Sequence, residues 1–305
     1  MKVFVTGVSG QLGYDVAVEF LSRGDAVVGS DIAENEKSGL LAEMAEGNGA
    51  YAFAPLDITE EKAVTELLLQ VKPDVVVHCA AWTAVDAAED AENSEKVKAV
   101  NGTGTKNIAA ACKELDCKMV YISTDYVFNG QGEIPWNPDC EEYAPLSVYG
   151  QTKLDGELAV KALLSKYFIV RIAWAFGLNG NNFIKTMLNL GRKHDTLRVV
   201  SDQVGTPTYT PDLARLLADM AETEEYGCYH ATNEGGYISW YEFACEIFRQ
   251  AGYETKVIPV TTEEYGLSKA KRPFNSRLDK RKLVRKGFTP LPDWKDALAR
   301  YLREL

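Results

Sequence analysis

The sequence predicts an α/β protein: a doubly wound parallel sheet carrying a smaller, discontinuous lobe. Three observations predict it. Short β-rich runs alternate with helical patterns through the first 177 residues, the mark of a parallel sheet with right-handed crossovers. The run Val75-Val76-Val77 is apolar on both faces, as a central strand covered by helices on each side must be. Gly7-Val8-Ser9-Gly10-Gln11-Leu12-Gly13 joins the first strand pattern to the first helical one, and glycines there let the chain turn tightly.

In chain order, strands are expected at 2–6, 26–30, 50–54, 74–79, 118–123, 167–173 and 197–200, where apolar runs collect β-branched and aromatic side chains. Helices are expected at 11–23, 60–71, 95–115 and 149–165. Past residue 177 the alternation loosens. Leu178-Asn179-Gly180-Asn181-Asn182 opens a helix at Phe183, and 232–292 reads as turns, prolines and two or three short helices. The expected division is a first domain from 1–177 and 200–231, and a second lobe from 178–199 and 232–305.

At 305 residues and 46% apolar the chain can build a sizeable core, which rules out global disorder. Its net charge of −11 repels phosphate backbones and acidic lipid, so nucleic-acid and membrane binding are not expected. No apolar run approaches the roughly 20 residues of a spanning helix. The first residues begin a strand pattern without signal-peptide features, so a cytoplasmic location is expected. Six cysteines, at 79, 112, 117, 140, 228 and 245, form no CxxC pair, and three histidines make no ligand spacing with them. Neither a metal site nor a disulfide framework is expected.

The glycine turn has the placement of a dinucleotide site: strand before, helix after. A pyrophosphate can approach the helix N-terminus there, where free N–H groups favour negative charge. Asp31 ends the second strand about twenty residues on, where a carboxylate accepts from ribose hydroxyls. The fold class is therefore Rossmann-type. Asp31 repels a 2′-phosphate, which favours NADH over NADPH, although Lys37 could offset it. Asp57 and Ile58 follow the third strand, where adenine could sit; alternatively Asp57 or Thr59 caps the next helix.

Tyr149 and Lys153 are i and i+4 on one helix and share a face. A neighbouring ammonium favours the phenolate and is expected to lower the phenol's pKa from about 10. Ser123-Thr124-Asp125-Tyr126 ends the fifth strand, and ligands bind at the carboxyl ends of such strands. Thr124 can therefore hold a substrate carbonyl. A surface Tyr with a solvated Lys is the plain alternative for each element alone; their order along the chain is what makes them specific.

With these residues in place, the chain resembles the extended short-chain dehydrogenase/reductases, and among them the dTDP-4-dehydrorhamnose reductase family. The resemblance rests on Gly10 to Gly13, Ala80-Ala81-Trp82-Thr83-Ala84-Val85-Asp86, Ser123 to Phe128, Pro145 to Gly150 and Lys153-Leu154-Asp155-Gly156-Glu157. It also rests on Asn181-Asn182-Phe183, Asp202 to Thr208 and Arg272-Pro273. It implies catalysis by Thr124, Tyr149 and Lys153. It implies cofactor contacts, to NADH or NADPH, from Gly7, Gly10, Gln11, Leu12, Gly13, Asp31, Asp57, Ile58, Ala80, Ala81, Asn101, Tyr149 and Lys153. It implies substrate contacts, to a dTDP-sugar, from Trp82, Val85, Asp125, Tyr126, Trp174, Asn182 and Arg272. Trp82 stands where the family has Tyr, and Val148 is a milder departure. Some relatives form a metal-bridged homodimer through glutamates, so the resemblance allows a homodimer here.

The implied reaction is reduction of the C4 ketone of dTDP-4-keto-6-deoxy-L-lyxo-hexose, with Tyr149 protonating the alkoxide. Related dehydratases carry an Asp-Glu pair after the strand-end Thr, and here Tyr126 follows Asp125, which disfavours dehydration. Epimerases reuse the same Tyr and Lys. A non-catalytic NADP-binding regulator, resembling the β subunit of methionine adenosyltransferase, is the reading from another class.

Residues 269–286 hold nine cations against the single acid Asp279. Arg272 is the expected partner of the substrate diphosphate, with Arg277 second. Lys280, Arg281, Lys282, Arg285 and Lys286 read as a solvated helix face. Asp86, Glu89, Asp90, Glu92 and Glu95 read as a solvated run at a helix N-terminus. Asn101 beside two glycines is poor helix design and fits either a cofactor contact or a packing role. His78 reads as a hydrogen-bonded core residue, and Trp240 and Trp294 as packing aromatics.

Overall fold

In chain order the strands are β1 (Lys2–Thr6), β2 (Ala26–Asp31), β3 (Ala50–Pro55), β4 (Val75–His78), β5 (Lys118–Thr124), β6 (Tyr167–Ile172), β7 (Ala175–Phe176), β8 (Thr196–Val200), β9 (Val204–Gly205), β10 (Thr208–Tyr209), β11 (Gly227–His230), β12 (Ile238–Ser239) and β13 (Lys256–Val260). The helices are α1 (Gln11–Ser22), α2 (Glu36–Asn48), α3 (Glu61–Val71), α4 (Ser94–Lys98), α5 (Thr105–Leu115), α6 (Val148–Leu163), α7 (Phe183–Gly191), α8 (Thr210–Ala221), α9 (Trp240–Ala251), α10 (Thr262–Tyr265), α11 (Arg281–Arg285) and α12 (Trp294–Glu304). This computed structural model describes every residue but Gly49, and leaves out the side chains of Lys37, Ser38 and Asn48. The Lys37 reading thus lies outside the described residues.

Seven strands form one sheet in the order β11-β6-β5-β4-β1-β2-β3, and every neighbouring pair is parallel. The expected Rossmann-type sheet is present. Strand order reverses between β1 and β4, which opens a crevice at their carboxyl ends. Alternation along β1 and β4 feeds two cores. Val3, Val5, Val75 and Val77 pack on one side with residues of α1 and α8. Phe4 and Val76 pack on the other with residues of α3 and α5. This is why the 75–77 run is apolar on both faces.

A third core gathers Phe176, Tyr209, Phe243, Trp294 and Tyr301 from β7, β10, α9 and α12. β8 pairs only with β13, outside the main sheet. The chain returns to the main sheet through α8 and β11. Within 232–305, Leu283, Phe288 and Leu291 join the first core rather than the third.

The expected helix 95–115 is three pieces. α4 and α5 flank a π-helical stretch, Ala99–Gly104. A π stretch accommodates an extra residue that the i→i−4 ladder cannot, and it falls on the Asn101 and glycine cluster. No helix among the described residues is long and apolar enough to cross a membrane.

Candidate active site

A crevice of about 650 Å³ opens over the carboxyl ends of β1, β4, β5 and β6, within the size range of small-molecule sites. Its floor begins at the glycine turn. Gly7 has φ +67, and a Cβ there would sit 2.8 Å from the Ala80 backbone. A Cβ on Gly13 would sit 2.1 Å from the Gly7 carbonyl oxygen. Only glycine lets β1, α1 and the strand end after β4 meet this closely. Gly10 caps α1 without a side-chain hydrogen bond, and no acid stands in the first turn. The first N–H groups of α1 thus keep their affinity for an anion.

Asp31 lines the same crevice. One carboxylate oxygen accepts from the Ser9 N–H at 3.1 Å and the other from Ile32 N–H at 2.9 Å. Asp57 and Ile58 also line it. Asp57 accepts from Thr59 N–H and the Thr59 hydroxyl, whereas α3 starts at Glu61 after Glu60 with no side-chain cap. The helix-cap alternative is therefore not what the structure has. Ala80, Ala81, Val85 and Arg272 lie on the crevice walls.

Thr124, Asp125, Tyr126, Tyr149 and Lys153 meet at the end of β5 and the start of α6. Ser147 caps α6, accepting from Gly150 N–H at 3.1 Å, and Glu89 accepts from Val148 N–H at 2.7 Å. These caps fix where Tyr149 enters the crevice. Tyr126 packs edge to face on Tyr149 at 5.5 Å between centroids. Thr124 donates to Asp125 at 3.0 Å and accepts from Tyr126 N–H. The other oxygen of Asp125 accepts from Ser276. Burial raises the Asp125 carboxyl to about 6, against the pull of Ser276 and Thr124.

The expected loosening of the Tyr149 proton is not found. Burial pushes this phenol up, Asp125 and Tyr126 push it further, and a hydrogen bond with Thr124 opposes. Lys153 is buried, its Nζ lying 4.2 Å from the centre of the Tyr121 ring. Burial lowers it to about 7, with Glu157 and Cys79 opposing. Sequence spacing places both groups on one helix face, but desolvation, which spacing does not report, governs both.

Three expected contacts lie off the crevice walls. Asn101 is fully buried; its carbonyl oxygen accepts from Trp82 N–H at 2.8 Å, and its amide donates to the Trp82 carbonyl and to Thr152. It ties the loop after β4 to α6, which is the packing alternative. The Trp82 indole donates to the Ala84 carbonyl and has the Lys96 ammonium over it. Asn182 caps α7 and donates to Gly177 and Tyr301. Its neighbours Gly180 and Asn181 line the crevice instead.

Trp240 packs against the third core as expected, and it also lines the crevice, stacked on Trp174 at 3.7 Å between centroids. Trp174 has φ +51, a strain of roughly 1–3 kcal/mol for a bulky residue. No periodicity in the sequence marks either feature. Trp294 is in the third core, and His78 is buried between Thr6 and Thr105 hydroxyls.

Both charged stretches carry pairs, while Glu92, Glu95, Arg281, Arg285 and Lys286 stay exposed, as a solvated face would be. Asp86 accepts from Arg272 at 2.6 Å and from the Lys269 and Ala270 N–H groups, and Asp90 pairs with Lys269. Lys280, Arg281, Lys282 and Lys286 pair with Glu234, Asp279, Asp139 and Glu225. Arg277 donates to Asn275, away from the crevice, so of the two expected diphosphate partners only Arg272 faces it.

A family model described as the RmlD substrate binding domain matches residues 1–305. The chain belongs to this family. It is 40% identical over 300 residues to a dTDP-4-dehydrorhamnose reductase of Streptomyces griseus, covering 96% of this chain and 90% of that one. It is 37% identical over 303 residues to the spore coat polysaccharide biosynthesis protein SpsK of Bacillus subtilis, covering 99% and 97%. The crystal structure of dTDP-4-dehydrorhamnose reductase from Bacillus anthracis in complex with NADP superposes with a TM-score of 0.85 at 36% identity, covering 100% of this chain and 99% of that one.

Proposed function

We propose that this RmlD-family protein reduces the C4 ketone of a dTDP-4-keto-6-deoxyhexose, giving dTDP-L-rhamnose, with NADH or NADPH as reductant. One observation carries the reading: Thr124, Tyr149 and Lys153 converge with the glycine turn on one crevice that Trp174 and Arg272 face. The bound nicotinamide supplies the hydride.

The protein's residues do the rest. Gly7, Gly10, Gln11, Leu12 and Gly13 receive the pyrophosphate, Asp31 the adenosine ribose, and Asp57 and Ile58 the adenine edge. Ala80 and Ala81 border the nicotinamide half. Lys153 holds the nicotinamide ribose. Tyr149 gives its proton to the new C4 alkoxide. An alkoxide is far more basic than a phenolate, so a phenol raised by burial remains acid enough. Thr124 orients the carbonyl as charge grows on it. Val85, Tyr126 and Trp174 bound the sugar and Arg272 meets the diphosphate. The sheet domain thus takes the cofactor, and the lobe built on α7, α9 and α12 takes the sugar. All these groups come from one chain, and we place the reaction in the cytoplasm.

Loss of NADPH absorbance with the dTDP-ketosugar tests this. The wild-type protein should oxidise the cofactor, and Tyr149→Phe should slow it by about 10²–10⁴-fold. Tight NADPH binding with no oxidation would instead support the regulatory reading.

A further inference from the structure

We infer that Trp240 is a positioning residue whose stacked indole holds Trp174 as a wall that decides which face of the ketosugar ring is reduced. This deepens the reductase reading and rests on it. Trp174 and Trp240 lie nearly parallel, 18° apart with centroids 3.7 Å apart, and both reach the crevice that holds Thr124 and Tyr149.

Trp174 cannot hold this pose by its own preferences. Its left-handed backbone at φ +51 persists only where the surroundings over-determine it. Three neighbours do so. Its carbonyl accepts from Thr208 N–H at 3.2 Å. Gly205 leaves room for it: a Cβ there would lie 3.1 Å from the indole and 3.0 Å from Ser276 Cβ. Trp240 covers one indole face, and is itself fixed as the first residue of α9 by a reciprocal cap between Ser239 and Glu242. Phe183 backs Trp240 at 4.6 Å between centroids.

A hexose ring carries a face of C–H bonds that packs on an aromatic plane. With the cofactor side set by the glycine turn and the proton donor set by α6, the remaining freedom is rotation of the sugar. A rigid indole wall removes it. One face of the C4 carbonyl then meets the hydride, and one C4 epimer forms.

Trp240→Leu should raise KM for the dTDP-ketosugar about three- to tenfold, the worth of one aromatic stack. It should also release a measurable share of the other C4 epimer, resolved by NMR of the product. NADPH affinity should stay within about twofold. Trp240→Phe should restore most of both properties. Gly205→Ala reaches the same indole from another side and should also loosen the epimer ratio, which keeps the test open where Trp240→Leu does not fold. A single epimer with unchanged KM in Trp240→Leu and Gly205→Ala would overturn the inference. So would a KM rise matched by an equal loss of NADPH affinity. A wild-type protein that oxidises no cofactor would bring down the reductase reading itself, and is seen before any variant is made.

Discussion

Asp125 shows how burial changes what a residue can do. Both its oxygens accept hydrogen bonds, from Thr124 and Ser276, yet burial keeps its carboxyl at about 6, above the ordinary 3.8. Between those values the folded chain holds a proton that the unfolded chain has lost. The stability this contributes is complete below about pH 4 and gone above about pH 6, a swing on the order of 2–3 kcal/mol. Asp125→Asn removes the charge. Its melting temperature should exceed the wild type's at pH 7.5, and the gap should shrink toward pH 4.5. An equal gap at both pH values would mean that burial of the charge is not the cause. The Asp was legible as a strand-end residue; its raised carboxyl was not, because desolvation depends on what packs around it.

At the scale of elements, α6 is held to β5 and β6 by a buried ion pair. Arg171 donates to both Glu157 oxygens, at 2.8 and 2.6 Å, and Ser123 donates to Glu157 at 2.5 Å. Both charged side chains are fully buried. Arg171 also reaches the Pro138 carbonyl and the Tyr143 hydroxyl, so the pair fixes the 138–143 segment as well. Glu157→Gln strands the guanidinium and should cost about 3–5 kcal/mol. The urea midpoint should fall with an unchanged slope; an unchanged midpoint would refute the argument. Glu157 stands in the Lys153 to Glu157 run of α6, but its partner Arg171 lies on β6, and no local pattern couples them. The π stretch at Ala99–Gly104 was half legible. Asn beside two glycines announced a poor helix, but only the fold shows that Asn101 grips the Trp82 backbone.

At the scale of the molecule, loops from the two sides of the crevice are latched together. Asp86 holds Arg272, Lys269 N–H and Ala270 N–H, Asp90 holds Lys269, and Tyr126 approaches Arg272 at 3.4 Å. Arg272 thus serves the latch and faces the proposed diphosphate. Arg272→Ala should raise KM for the nucleotide-sugar by tenfold or more, about 1.4 kcal/mol, with the cofactor KM little changed. Equal KM values in variant and wild type would remove Arg272 from the substrate site.

The sequence by itself determined the sheet, the glycine turn, the strand-end Asp31 and Thr124, and the Tyr149 and Lys153 pair. Each follows from spacing along one element or from an element's end, and such relations are local. Tertiary structure alone decided that desolvation governs Tyr149 and Lys153, that Trp240 both packs on the third core and stacks on Trp174 at the crevice, and that most cations of 269–286 hold ion-pair partners. Burial and pairing are relations between segments far apart in the chain, and the period of a single strand or helix carries no record of them.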